Sequence, residues 1–400
     1  MKKTIVAFLG IFTCLIIACN QRVLHSDFEV DPRMGGWKQV ETGDKKTNSQ
    51  WVRPSHAKGN GYITTRKGAW KSPEFSVKPF QYYRLYFRSR SSKSGYWAWV
   101  FYNRHGNRMS ADHYSEIDPC KSWQDNEFRV QAEAEAKTAR IMFESTGDIE
   151  LSIDEVIVHP VSSNEVARWA DKIYKNLPPL DYIPSKSRWG YMGDTIKRLK
   201  DQLSVRVLVL GDSIANDLAN SAFDVLIERN WPNTDVNVIS SVGNGTGCSY
   251  YRDQNRVKQY VIEKRPDLLV IAGISHHFEI EPIRDVIQQV RGEINPDILV
   301  LTGAITPPSQ MLETRVKAGA NRAKTRQKME AFPEKVARMA REEKVEFLDM
   351  RKIWENYLSS NDKPREMFMR DKIHANTRGK QIMGRILARY LSLRQPAPLK

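Results

Sequence analysis

Between Val205 and Leu348 the chain returns five times to a short, almost wholly apolar run, at 205–210, 236–239, 268–272, 298–302 and 345–348. A strand that is apolar on both sides must be covered on both sides, which is the situation of a strand inside a parallel sheet. The stretches between the runs carry amphipathic helical patterns, and right-handed crossovers would lay those helices on the two faces of the sheet. Residues 204–395 are therefore expected to form a three-layer α/β domain of flavodoxin-like type. In such sheets function gathers at the carboxyl ends of the strands.

The first run ends in Gly211-Asp212-Ser213-Ile214, ahead of a helical stretch over 220–228. A serine at a strand-to-helix turn has its hydroxyl held out and its N–H near a helix N-terminus that favours negative charge. Both features suit a nucleophile that must create an oxyanion, although Asp-Ser alone also reads as a helix N-cap. Far downstream, Asp371-Lys372-Ile373-His374 precedes a helix whose apolar face is Ile382, Met383, Ile386, Leu387, Tyr390 and Leu391. Three-residue spacing in a tight turn lets the carboxylate reach the imidazole and fix its tautomer, which leaves the other ring nitrogen for the serine.

The segment 207–213, the turn Gly243-Asn244-Gly245-Thr246-Gly247-Cys248 and the terminal Asp-x-x-His together resemble the GDSL/SGNH hydrolase superfamily. The resemblance covers roughly residues 204–393. It implies a carboxylic ester hydrolase that needs no cofactor for catalysis, with Ser213 as nucleophile, His374 as general base and Asp371 as the orienting carboxylate. It also implies an oxyanion hole made by the Ser213 N–H, by a glycine N–H from either Gly245 or Gly247, of which Gly247 is preferred, and by an asparagine after the third strand. Here that third element reads Gly273-Ile274-Ser275-His276, as in a divergent branch with the Gly-Ile-Ser form. Ser275 is expected as the replacement donor, with His276 and Asn244 as alternatives, and Asp212, Asn244 and His276 are expected at the substrate.

Four hundred residues are too many for one ordinary core, so two folded units are expected. Over 27–160 short β-branched and aromatic runs alternate with turn residues, notably at 82–87, 96–102, 139–143 and 149–158. That pattern predicts an all-β sandwich or jelly roll, with 161–203 as a linker or strap. Trp97, Trp99 and Phe101 share one strand face, which makes them either sandwich core or a sugar-stacking platform. Phe28-Glu29 with Trp37, and Ile153-Asp154-Glu155-Val156, resemble carbohydrate-binding jelly-roll modules. That resemblance implies Glu29 and Asp154 as ligands of a structural calcium.

Lys2 and Lys3 followed by an apolar stretch over 5–17 read as an export signal, too short for a transmembrane helix. Leu15-Ile16-Ile17-Ala18-Cys19 resembles the lipobox of bacterial lipoproteins. It implies a signal over 1–18, a lipid on Cys19, a tether over 19–26 and a protein held at a bacterial membrane, in the periplasm or at the cell surface. Cys120 and Cys248 then remain, with no metal-ligand spacing and no pairing that sequence can assign. The net charge of +15 would suit an anionic partner, but export argues against nucleic acid, and much of the positive charge over 315–344 reads as the solvated face of a helix. An exported hydrolase beside a carbohydrate-binding-like domain is expected to remove acyl groups, acetyl first, from a polysaccharide. A lipase, thioesterase or O-acyltransferase with the same triad, or a surface glycan-binding protein without turnover, are the alternatives.

Overall fold

The computed structural model describes residues 22–41, 48–53, 61–145, 148–303 and 322–393. The signal, the lipobox and Cys19 lie outside the described residues. Twelve of the described strands build an antiparallel sandwich: β1 Leu24–Ser26, β2 Lys38–Glu41, β3 Gln50–Val52, β4 Tyr62–Thr65, β5 Gly68–Lys71, β6 Phe75–Ser76, β7 Tyr82–Ser91, β8 Gly95–Tyr102, β9 His113–Ile117, β10 Cys120–Gln131, β11 Thr138–Ser145 and β12 Leu151–Val161. One sheet runs β10-β7-β12-β4-β3 with β1 on β12, and the other β2-β5-β11-β8-β9 with β6 on β11. On β7 and β11 alternate residues are buried, as period-two side chains between two sheets must be. Trp97, Trp99 and Phe101 point into this core beside Phe87 and Phe143, so the aromatic stripe is packing and not a sugar platform. The long β10 escapes sequence reading because Lys121, Gln124, Asp125, Glu127 and Arg129 interrupt its apolar positions.

Five parallel strands follow: β13 Val205–Gly211, β14 Val236–Val242, β15 Leu268–Ile271, β16 Asp297–Leu301 and β17 Glu346–Leu348, in the order β14-β13-β15-β16-β17. This is the flavodoxin-like order. Val207, Val209, Val238, Val270 and Leu299 face one core, while Leu208, Leu210, Ile239, Leu269, Ile271 and Val300 face the other. The near-continuous apolar runs are thus explained by helices on both sides. The basic stretch forms the helix Arg322–Glu342, anchored through Met329, Phe332, Val336 and Met339, with its charges outward where described; residues 315–321 lie outside the described residues.

Residues 161–203 hold two helices, α1 Ser163–Tyr174 and α2 Gly193–Lys200. A capping box between Ser162 and Glu165 starts α1, and Val166, Ala167 and Ala170 are buried on its inner side. The Thr195 N–H at the start of α2 donates to Asp297 at 2.6 Å. Below α1, Tyr82 and Val161 of the sandwich share a small core with Ala222 and Val225 of the α/β layer. Polar ties complete this junction. The Tyr82 hydroxyl lies 2.7 Å from both carboxylate oxygens of Asp224, and Gln131 donates to Asp224 at 3.0 Å. The Ser240 N–H donates to Glu133 at 3.4 Å, and Asn216 Nδ2 donates to the Asp112 carbonyl at 2.7 Å.

Candidate active site

The site sits at the carboxyl end of β13. Asp212 caps the short helix Ser213–Ala219 by accepting the N–H groups of Ile214 and Ala215 at 2.9 and 3.4 Å. Ser213 is the first residue of that helix, so its own N–H has no partner four residues back. The Ser213 Oγ lies 2.8 Å from His374 Nε2. On the other side of the ring, Nδ1 lies 2.7 and 3.0 Å from Asp371 Oδ2 and Oδ1. A nitrogen facing a carboxylate must carry the proton, which leaves Nε2 to accept from the serine hydroxyl. Asp371 Oδ1 also accepts the N–H groups of Ile373 and His374, each at 2.9 Å. Partial burial works against the Asp371 charge, but the imidazole and these two N–H groups outweigh it and hold the carboxyl down to about 2. Ser213 and His374 are half-buried, while Asp371 is the most exposed of the three.

The other residues singled out from sequence are placed differently. Asp212 is 1% exposed and faces inward: its Oδ2 accepts the Ile274 and Ser275 N–H groups at 2.8 Å and the Ser275 hydroxyl at 2.6 Å. Asp212 is therefore a scaffold between the first and third strand ends and not a substrate contact. Ser275, 2% exposed, spends both its N–H and its hydroxyl on Asp212, which corrects the expectation that it replaces the missing asparagine. Gly273, at φ +101, runs so close that a Cβ there would stand 2.5 Å from Asp212 Oδ1. His276 is equally buried; its Nδ1 accepts the Cys248 N–H at 3.4 Å and its Nε2 lies 3.3 Å from the Ala272 carbonyl. Its ring pins the glycine turn to the third strand end and does not face substrate.

Gly247 lies where that turn presses on the third strand end, so tightly that a Cβ would stand 2.2 Å from the Ser275 carbonyl oxygen. Its N–H makes no hydrogen bond among the described residues. Asn244 is exposed on the same turn. Cys248 is buried, which pushes its thiol up, and both Cys120 and Cys248 are free.

Glu29 accepts the Gly61 N–H at 3.0 Å. Asp154 accepts the Glu155 N–H at 2.7 Å and has Arg88 at 3.6 Å. A calcium ion asks for six to eight oxygens. Among the described residues no three His, Cys, Asp or Glu side chains come together to hold a metal, and the Arg88 cation beside Asp154 does not fit one.

Sequence reading missed the groups behind the triad. Asp217, one helical turn after Ser213, accepts the Ala375 N–H at 2.9 Å and lies 3.5 Å from Arg370 and 3.3 Å from Lys380. Its i+4 spacing from the serine was the available signal; nothing local marks Arg370 or Lys380 as its partners.

Residues 209–382 match the model of the GDSL-like lipase/acylhydrolase family. No curated protein matches the chain in sequence. Among solved structures, the enzymatically active domain of bacteriophage CBA120 tailspike protein 4 is 16% identical over 34% of this chain and 20% of its own, with a TM-score of 0.28. A two-domain esterase active on acetylated mannans, co-crystallised with mannopentaose, is 15% identical over 53% of this chain and 57% of its own, with a TM-score of 0.39. An acetyl xylan esterase is 17% identical over 46% of this chain and 98% of its own, with a TM-score of 0.36. The chain thus spans a fifth of the tailspike domain and little over half of the mannan esterase. The family match covers the parallel sheet from within β13 onward, the strand-end serine and the Asp-x-x-His turn, so it is the α/β part of this chain that is similar to the GDSL-like lipase/acylhydrolases.

Proposed function

We propose that this protein is an exported, lipid-anchored serine esterase that removes short acyl groups, acetyl first among them, from a polysaccharide. The observation that carries the reading is the unbroken hydrogen-bonded line from Ser213 through His374 to Asp371. In it, Ser213 Oγ attacks the ester carbonyl while His374 Nε2 takes the hydroxyl proton, and the resulting imidazolium is balanced by Asp371. The carbonyl oxygen becomes an oxyanion that the Ser213 and Gly247 N–H groups stabilise. With Ser275 and His276 occupied elsewhere, the Asn244 amide on the glycine turn is the side-chain donor left for the third position. His374 then gives its proton to the leaving sugar oxygen as the C–O bond breaks, takes a proton from a water that attacks the acyl carbonyl, and returns that proton to Ser213 Oγ as the free acid leaves.

The preference for a polysaccharide rests on the resemblance of the sandwich to carbohydrate-binding jelly-roll modules beside the hydrolase-like domain. Export and anchoring rest on the N-terminal signal and Cys19. The positive charge of the chain adds affinity for an anionic polymer.

The test is fluorophosphonate labelling of residues 22–400 and of the Ser213→Ala variant, read by intact mass, with turnover of p-nitrophenyl acetate and acetate release from acetylated xylan and mannan. Labelling and turnover only in the wild type are expected. A folded wild type that neither labels nor turns over, yet binds glycan, would replace this reading with that of a glycan-binding protein, which the substituted third element, Gly273-Ile274-Ser275-His276, favours.

A further inference from the structure

A ladder of side chains runs from the sandwich to the triad. On the outward side of β8 and β9 the rings of Tyr96 and Tyr114 stack with centroids 5.2 Å apart, and the Arg370 guanidinium lies 5.0 Å from the Tyr114 ring. The same guanidinium donates through Nη1 to the Tyr114 carbonyl at 2.7 Å. Its Nη1 is also 3.5 Å from Asp217 Oδ1. Its Nε, buried and without a hydrogen-bond partner, stands 3.8 Å from Asp371 Oδ2, the oxygen nearest the His374 ring. The backbone closes the same unit, because the Arg370 N–H donates to the His374 carbonyl at 2.9 Å. Lys380 Nζ, buried, adds a second contact to the Tyr114 carbonyl at 3.3 Å.

We propose that Arg370 is a positioning residue for the Asp371–His374 pair, and that the sandwich, through Tyr114, is a structural part of the catalytic unit and not a detachable targeting module. The inference rests on the triad reading above. A guanidinium is a rigid planar fork, so fixing it at three points also fixes its fourth edge. Here the three points are the Tyr114 ring, the Tyr114 carbonyl and Asp217, which belongs to the helix that begins with Ser213. The fourth edge faces Asp371. Nucleophile helix, sandwich strand and acid-base turn are thereby referred to one group. Asp371 is otherwise half-exposed and, among the described residues, hydrogen-bonded within its own turn, so a lost reference lets the carboxylate and the imidazole drift. Rate is sensitive to such drift at the scale of 1 Å.

The experiment compares Arg370→Met, Arg370→Lys and Tyr114→Ala with wild type and Ser213→Ala, using p-nitrophenyl acetate, too small to need a glycan site, with folding checked by near-ultraviolet circular dichroism. In Arg370→Met we expect kcat to fall about 10- to 100-fold with KM within about twofold, and Arg370→Lys to recover part of it. Tyr114→Ala keeps Arg370 but removes its ring contact, and a smaller loss in kcat at unchanged KM, about three- to tenfold, is expected. Should Arg370→Met misfold, the half-buried Tyr114→Ala, on the outward side of β9, carries the test alone. Folded variants that keep kcat within twofold of an active wild type overturn this inference and leave the triad reading standing. A wild type with no Ser213-dependent turnover removes the triad reading, and this inference with it.

Discussion

At the residue scale the site depends on which carboxylate does what. Asp371, held down to about 2, has a depressed value, so its contribution to the fold is present above the ordinary carboxylate range and is lost progressively as pH falls from that range through about 2. Between pH 5 and 9 it stays ionised, so a loss of activity within that range is not expected to come from Asp371. Asp371→Asn keeps the shape but permits the wrong imidazole tautomer, and a loss of about 10³- to 10⁴-fold in kcat is expected; an unimpaired variant in a steady-state assay would remove Asp371 from the triad. Ser275→Ala separates scaffold from oxyanion donor. As a scaffold residue donating to buried Asp212 at 2.6 Å, it should cost about 1–3 kcal/mol of stability and reduce kcat modestly. Loss of an oxyanion donor would instead lower kcat by about 10²- to 10³-fold without a matching shift in denaturant midpoint. Both carboxylates stand in motifs visible in sequence, but only contacts from remote strand ends reveal that Asp212 faces inward.

At the scale of elements, the contact between sandwich and parallel sheet is built on buried acids. Burial raises Glu133 to about 8, against the Ser240 N–H that favours its charge, and raises Asp224 to about 7, against the bond from Tyr82. Both values lie above the unfolded ones. Such groups stabilise the fold fully at pH below about 4, and that contribution is lost as pH rises through 7 to 8. Thermal scanning is therefore expected to show Tm falling from pH 6 to 9, with a shallower fall in Glu133→Gln and Asp224→Asn; equal slopes in wild type and variants would place the pH dependence elsewhere. The elements that make this contact were unevenly legible. The apolar β13 through β16 could be read directly, and so could β7, β8, β11 and β12 from their alternation. The charged β10, which supplies Gln131 to the junction, could not, because its strand character comes from pairing along β7 from Gln124 to Gln131 and not from its own side chains.

For the whole molecule, the shared core at Tyr82, Val161, Ala222 and Val225 and the bonds across the junction predict joint melting. Calorimetry is expected to give one cooperative transition, and two well-separated endotherms would show that the sandwich folds and melts by itself. What the sequence by itself determined is what depends on local pattern: a parallel sheet from runs apolar on both sides, a sandwich from period-two alternation, a serine at a strand-to-helix turn, and a carboxylate three residues before a histidine. These are short-range consequences of backbone geometry and burial, and they can be read along the chain. Tertiary structure alone decided the rest. It turned Ser275 and His276 inward, sank Trp97, Trp99 and Phe101 into the core, and set Arg370 between Tyr114, Asp217 and Asp371. The physical reason is that Ser275, His276 and Arg370 are committed by polar partners on another strand end or in the other half of the molecule, and the three rings by the apolar face of the opposite sheet.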